Sequence, residues 1–193
     1  MKLGRMEFIA MNNPLRRFVQ KNFEFPMFQN LGLFIGGKDV LEIGCGSGYG
    51  AELMYRLRPL SYAGIDLMPE QIKLAQRRQI PGYDFRVMDA TDLGEFADNS
   101  KDLVIIFGIL HHVAEWRVAL KECARVLRPG GKFFVEEPGS EMLRKWDSIF
   151  KWEHPELGHF TLDEFENEIR NNGLVVNGSR RYFGFGMFSA TKQ

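Results

Sequence analysis

One stretch constrains this chain more than any other. Val40-Leu41-Glu42-Ile43 runs directly into Gly44-Cys45-Gly46-Ser47-Gly48. A short apolar run that ends in alternating glycines reads as a buried strand followed by a sharp turn, because glycine takes left-handed backbone angles without a steric penalty. The missing Cβ atoms also let the backbone approach a ligand closely. A helix over Tyr49 to Leu57 follows, and it aims its first N–H groups at the same place. A phosphate-binding P-loop would need Lys-Ser/Thr after its last glycine, and none is present. The dinucleotide pattern Gly-x-Gly-x-x-Gly/Ala is met by Gly46, Gly48 and Ala51, so the loop alone leaves that reading open. A tight turn with no ligand is also open.

The rest of the chain repeats the strand-then-helix pattern. Ser61 to Ile65, Tyr83 to Met88, Asp102 to Phe107 and Lys132 to Glu136 read as further strands. Asp102 to Phe107 is almost wholly apolar, as suits a central parallel strand covered on both faces. Between them lie helical patterns over Pro69 to Arg78 and Glu115 to Leu127, the second stopped by Arg128-Pro129-Gly130-Gly131. Thr161-Leu162-Asp163-Glu164 opens another helix as a capping box and Gly173 ends it. Leu174 to Val176 and Arg181 to Ala190 read as two last strands joined near Gly184–Gly186. Alternation of this kind predicts a Rossmann-like, doubly wound α/β sheet with helices on both faces. Ligands of such sheets bind outside the carboxyl ends of the strands, so the residues just after each strand matter most.

Those residues are acidic or polar. Asp66 follows the second strand, before Leu67 and Met68, and a carboxylate there can accept from both hydroxyls of a ribose. Asp89-Ala90 follows the third strand; a helix cap or turn is the plain alternative for Asp89. Phe107-Gly108 ends the fourth and leads into Ile109-Leu110-His111-His112. Taken in order from Lys38 to Glu137, the Glu-x-Gly-x-Gly-x-Gly loop, Asp66, Asp89-Ala90, the His-His segment and Leu127-Arg128-Pro129-Gly130-Gly131 resemble the class I S-adenosylmethionine-dependent methyltransferases of the small-molecule type. The resemblance implies a seven-stranded, mostly parallel sheet with an antiparallel last strand. It implies S-adenosylmethionine as cofactor and S-adenosylhomocysteine as product. It further implies cofactor contacts from Glu42, Gly44, Cys45, Gly46, Asp66, Leu67, Met68, Asp89, Ala90 and Phe107. Asp66 would take the ribose and Asp89 the adenine amine, and Leu67 and Met68 would flank the ring. In-line attack on the sulfonium methyl needs a base only when the acceptor holds its proton tightly, and His111 and His112 are the candidates. Either histidine equally reads as packing or capping. Cys45 reads as a small residue with room for its neighbours.

The expected organisation is a single domain over 1–193, with a helical cap at about 1–37 and a lid insertion at about 138–160. Asn13 is a candidate cap before Pro14, and Leu15, Phe18, Val19 and Asn22-Phe23 have helical spacing. Phe18, Phe23, Phe25 and Phe28 in the cap, and Trp146, Phe150, Trp152, His154 and His159 in the lid, suit an apolar or aromatic small-molecule acceptor. They equally suit a lid packing on the sheet. Pro155 lies between His154 and His159, which are not at i,i+4 spacing, so no metal pair is expected. Lys+Arg and Asp+Glu are 25 each, and this balance argues against nucleic acid as a partner. Arg16-Arg17 and Arg180-Arg181 read as solvated faces. The N-terminal residues form no secretory h-region, and the longest apolar run falls well short of the roughly twenty residues a membrane span needs. A cytoplasmic protein is therefore expected. Two other functions fit parts of the pattern: an NAD(P)-dependent oxidoreductase using Gly46, Gly48, Ala51 and Asp66, and a silent adenosyl-binding module.

Overall fold

A computed structural model describes residues 12–150 and 159–193. Seven strands form one sheet: β1 Asp39–Ile43, β2 Ser61–Asp66, β3 Tyr83–Val87, β4 Lys101–Phe107, β5 Leu127–Pro138, β6 Leu174–Tyr182 and β7 Phe185–Lys192. Their order is β3-β2-β1-β4-β5-β7-β6. The β1–β2, β1–β4, β2–β3 and β4–β5 pairs are parallel, and β7 is antiparallel to both β5 and β6. This is the seven-stranded, mostly parallel sheet expected from the sequence. Strand order reverses at β1, which lies between β2 and β4, so the carboxyl ends of these strands open a crevice.

The helical run α1 Pro14–Val19, a π turn Gln20–Glu24 and α2 Phe25–Asn30 precedes β1. α3 Tyr49–Tyr55, α4 Pro69–Gln76, α5 Trp116–Val126, α6 Ser140–Phe150 and α7 Leu162–Asn171 follow in chain order. Val104, Ile105 and Ile106 in the middle of β4 are wholly buried, because helices cover both sheet faces. Phe28, Met54, Ile72 and Ala75 pack on one face with Val40 and Phe134. Trp116, Leu120, Phe165 and Ile169 pack on the other with Leu41 and Phe133.

Local signals set the ends of several elements. Asn13 accepts from the Arg16 backbone at 2.8 Å and caps α1. Thr161 and Glu164 make both halves of the capping box at the start of α7. β5 starts earlier than its pattern predicts, at Leu127, because Leu127 pairs with Lys101 before the ladder slips at a bulge. Arg128 then bridges Asp39 and Asp102, each at 2.9 Å. Arg181 is not a merely solvated charge, since it ties β6 to α7 through Asp163 and Glu166.

Candidate active site at the sheet's carboxyl edge

One cavity lies at the switch point. Its wall includes Glu42, Gly44, Cys45, Gly46, Asp66, Leu67, Met68, Asp89, Ala90, Phe107 and His112. The residues singled out at four separate strand ends thus meet at one place, with the exception of His111.

The glycine turn is held from beneath by a buried carboxyl. Glu42 is 2% exposed and accepts from the Tyr62 hydroxyl. Burial pushes its pKa up to about 8, with the Tyr62 hydrogen bond opposing that shift. α3 can run this close to Glu42 only because residue 50 is glycine; a Cβ there would collide with the Glu42 carboxyl. Gly46 has φ of +52° with open space above it, so its backbone faces the cavity unshielded. Cys45 is buried, and burial pushes its thiol pKa up, which makes it a small packing group rather than a nucleophile.

Asp66 ties the loop to the next strand. Its Oδ2 accepts from Gly46 N–H at 3.0 Å and its Oδ1 from Met68 N–H at 2.9 Å. Burial raises its pKa, while these two N–H groups act in the opposite direction. A carboxylate has about four lone-pair sites, so acceptor capacity remains on both oxygens. Asp89 is exposed, and its Oδ1 accepts from the Thr91 N–H at 2.9 Å and hydroxyl at 2.8 Å, which is the turn geometry. Its Oδ2 takes no hydrogen bond from the described residues.

The two histidines part company. Ile109, Leu110 and His111 donate their backbone N–H groups to Glu137, at 2.9, 2.7 and 3.3 Å. Nδ1 of His111 also lies 2.8 Å from Glu137. His111 is therefore buried against Glu137 and is not in the cavity wall. His112 reaches the cavity wall, and its ring centroid lies 4.0 Å from that of His111.

The N-terminal helices correct the expected apolar face. Leu15, Phe18 and Phe23 point outward, while Arg16, Gln20 and Glu24 face the protein. Arg16 donates to both Glu24 oxygens at 2.8 and 2.7 Å, and this pairing turns the polar stripe inward. Phe25 and Phe28 pack on the sheet as a lid would. The segment's contribution to the cavity is Arg16, Arg17 and Gln20, so the expected aromatic wall is polar on this side. Arg16 and Arg17 are accordingly not just solvated charges. Trp146 packs against Phe185 and His159 is half-buried. Trp152, His154 and the side chain of Phe150 lie outside the described residues.

Several residues carry no motif and emerge only from the fold. Glu136, beside Phe107 in the β4–β5 ladder, accepts from the Tyr182 hydroxyl at 3.3 Å. It also shares a hydrogen bond with Glu24. Burial, followed by the Glu24 charge, pushes Glu136 up to about 8. Gln71 stands in the cavity wall at the first turn of α4; it is 2% exposed, and its Oε1 finds no donor. An unmet buried acceptor, an open glycine backbone and two strand-end carboxylates fit a polar, adenosyl-sized ligand. The available signal was position: each residue ends a parallel strand or starts the helix after it.

Known proteins resemble this arrangement. Residues 41–135 match the family model of a methyltransferase domain. A phthiotriol/phenolphthiotriol dimycocerosates methyltransferase of Mycobacterium tuberculosis is 44% identical over 121 residues, covering 62% of this chain and 43% of that protein. A fatty-acid O-methyltransferase of Mycolicibacterium smegmatis is 45% identical over 105 residues, covering 53% of this chain and 38% of that protein. The chain thus spans about half or less of the length of such relatives. The structure of a SAM-dependent methyltransferase from Aquifex aeolicus superposes with a TM-score of 0.79 over 100% of both chains at 16% identity, which is a likeness of fold. Residues 41–135 thus form a methyltransferase domain, and the chain has the fold of an S-adenosylmethionine-dependent methyltransferase.

Proposed function

We propose that this protein transfers a methyl group from S-adenosylmethionine to an oxygen atom of a small, lipid-like acceptor. The observation that carries this is the meeting of the glycine turn, Asp66, Asp89 and His112 around one cavity at the switch point. The bound cofactor supplies an electrophilic sulfonium methyl, so the chain's task is chiefly proximity and orientation. Asp66 takes the ribose hydroxyls on its free lone pairs while keeping the loop in place. Asp89 takes the adenine amine on Oδ2, and Leu67, Met68 and Ala90 flank the ring. Gly44, Cys45 and Gly46 let the backbone come close, with Glu42 fixing their turn. Gln71 receives a donor from the ligand. Phe107 and His112 border the reacting end, where His112 accepts the acceptor's proton if that proton is not already lost.

The acceptor class is supported by the acceptors for which the relatives are named, a phthiotriol dimycocerosate and a fatty acid, both oxygen-bearing lipids. No helix of the described residues is long and apolar enough to cross a membrane. We place the reaction in the cytoplasm, which suits the unbridged Cys45 and Cys123. The test is transfer of a labelled methyl from the cofactor to a panel of long-chain alcohols, fatty acids, catechols and amines. Label in the extracted alcohol or acid is the expected result. Label only in the amines or catechols contradicts the proposed acceptor.

A further inference from the structure

The outer face of the N-terminal helices has no role in the cavity. Leu15, Phe18 and Phe23 are 69%, 56% and 55% exposed. They form one patch. Leu15 and Phe18 are three apart on α1, and the Phe18 and Phe23 rings meet edge to face with centroids 6.1 Å apart. Residues five apart do not share a face of a regular α-helix. Here the π turn brings them together, with Phe25 N–H bonded to the carbonyl of Gln20, five residues back. The same turn keeps Gln20 and Glu24 buried on the inner side.

Outward charge along residues 12–38 has one sign. Between residues 12 and 38 the only acid is Glu24, which is buried and held by Arg16. Lys21 is exposed between Phe18 and Phe23 in the sequence, and Arg17, which also reaches the cavity wall, is exposed next to Phe18. Exposed aromatic and aliphatic groups on a run whose outward charges are cationic match an interface of lipid tails and anionic headgroups. The opposite face of the same helical run supplies Arg16 and Gln20 to the cavity wall. A single helical run thus joins the patch to the site.

We propose that Leu15, Phe18 and Phe23, with Lys21, dock the protein on an anionic bilayer surface, so that the cavity takes its acceptor from the membrane. The second half rests on the lipid-acceptor reading above; the docking itself does not.

The test is co-sedimentation of the full chain with phosphatidylglycerol-containing vesicles and with neutral phosphatidylcholine vesicles, read without turnover. Cofactor affinity is measured separately in vesicle-free solution, so failure of docking is distinguishable from failure of the methyltransferase reading. Wild type should bind anionic vesicles, weakly at high salt and weakly to neutral ones. The Leu15→Ser, Phe18→Ser, Phe23→Ser triple variant should lose at least about tenfold in partitioning with unchanged cofactor affinity. Lys21→Glu changes only an exposed charge and should also lower binding to anionic vesicles. Absence of wild-type binding overturns the proposal, as does equal binding by the triple variant or by Lys21→Glu. A dimer that the triple variant abolishes, with no vesicle binding, also overturns it and assigns the face to a second copy of the chain.

Discussion

Glu137 lies wholly buried with one carboxyl oxygen 2.8 Å from Nδ1 of His111. The same carboxyl group accepts the backbone N–H groups of Ile109, Leu110 and His111. It closes the end of β4 onto the end of β5 and so sets where the next residue, His112, stands. Removing it orphans three donors, two of them buried, and a buried donor left unmet costs about 1–3 kcal/mol. Glu137→Ala should therefore destabilise the protein by about 3 kcal/mol or more, and Glu137→Gln, which keeps one acceptor oxygen, by clearly less. Urea titration measures both. Equal losses for the two variants would mean that side-chain bulk, not the acceptor oxygens, fixes the segment.

His112, not His111, borders the cavity. His112→Gln should lower kcat by about a hundredfold for an alcohol acceptor if it takes the proton. Cofactor affinity should stay within about twofold. Unchanged kcat would reduce His112 to a wall residue.

Stability should fall as pH rises from about 5 to 8. In the fold, burial holds Glu42, Glu136 and Glu137 protonated up to about pH 8, against an ordinary value of 4.5. Unfolded, each releases its proton near 4.5, so between these values the native state binds more protons. The stabilisation is complete below the unfolded value and is lost as pH rises through the folded one. The decline should be at least about 1 kcal/mol per group across that window. Glu42→Gln should reduce the slope of denaturation midpoint against pH. A stability that is flat or rising over pH 5–8 would contradict the protonation assigned to these carboxyls.

Much of the sheet is legible because parallel strands buried on both faces read as unbroken apolar runs, as in Leu103 to Phe107, and because glycines punctuate their ends. Asp66 and Asp89 are legible for the same reason: they are the first polar residues after a strand. The N-terminal run is not. Its aromatic residues predict Phe18 and Phe23 against the acceptor or the sheet, but the Arg16–Glu24 pair, formed across a π turn, faces inward in their place. Intrinsic periodicity carries no trace of a register shift or of a partner eight residues away. Glu136 and Glu137 look like the polar end of a strand. Their importance depends on what β4, β6 and the N-terminal helix bring against them.

The central claim is an adenosyl site shared by the ends of β1, β2 and β3. Calorimetric titration of the wild type, Asp66→Ala and Asp89→Ala with S-adenosylmethionine, S-adenosylhomocysteine and NADH tests it most directly. Saturable binding of the two sulfur compounds, weakened about tenfold or more by each substitution, is the predicted result, since each removes a hydrogen bond to a charged acceptor. Saturable binding of NADH alone, unaffected by Asp89→Ala, would contradict it and leave a dinucleotide site built on Gly46, Gly48 and Asp66.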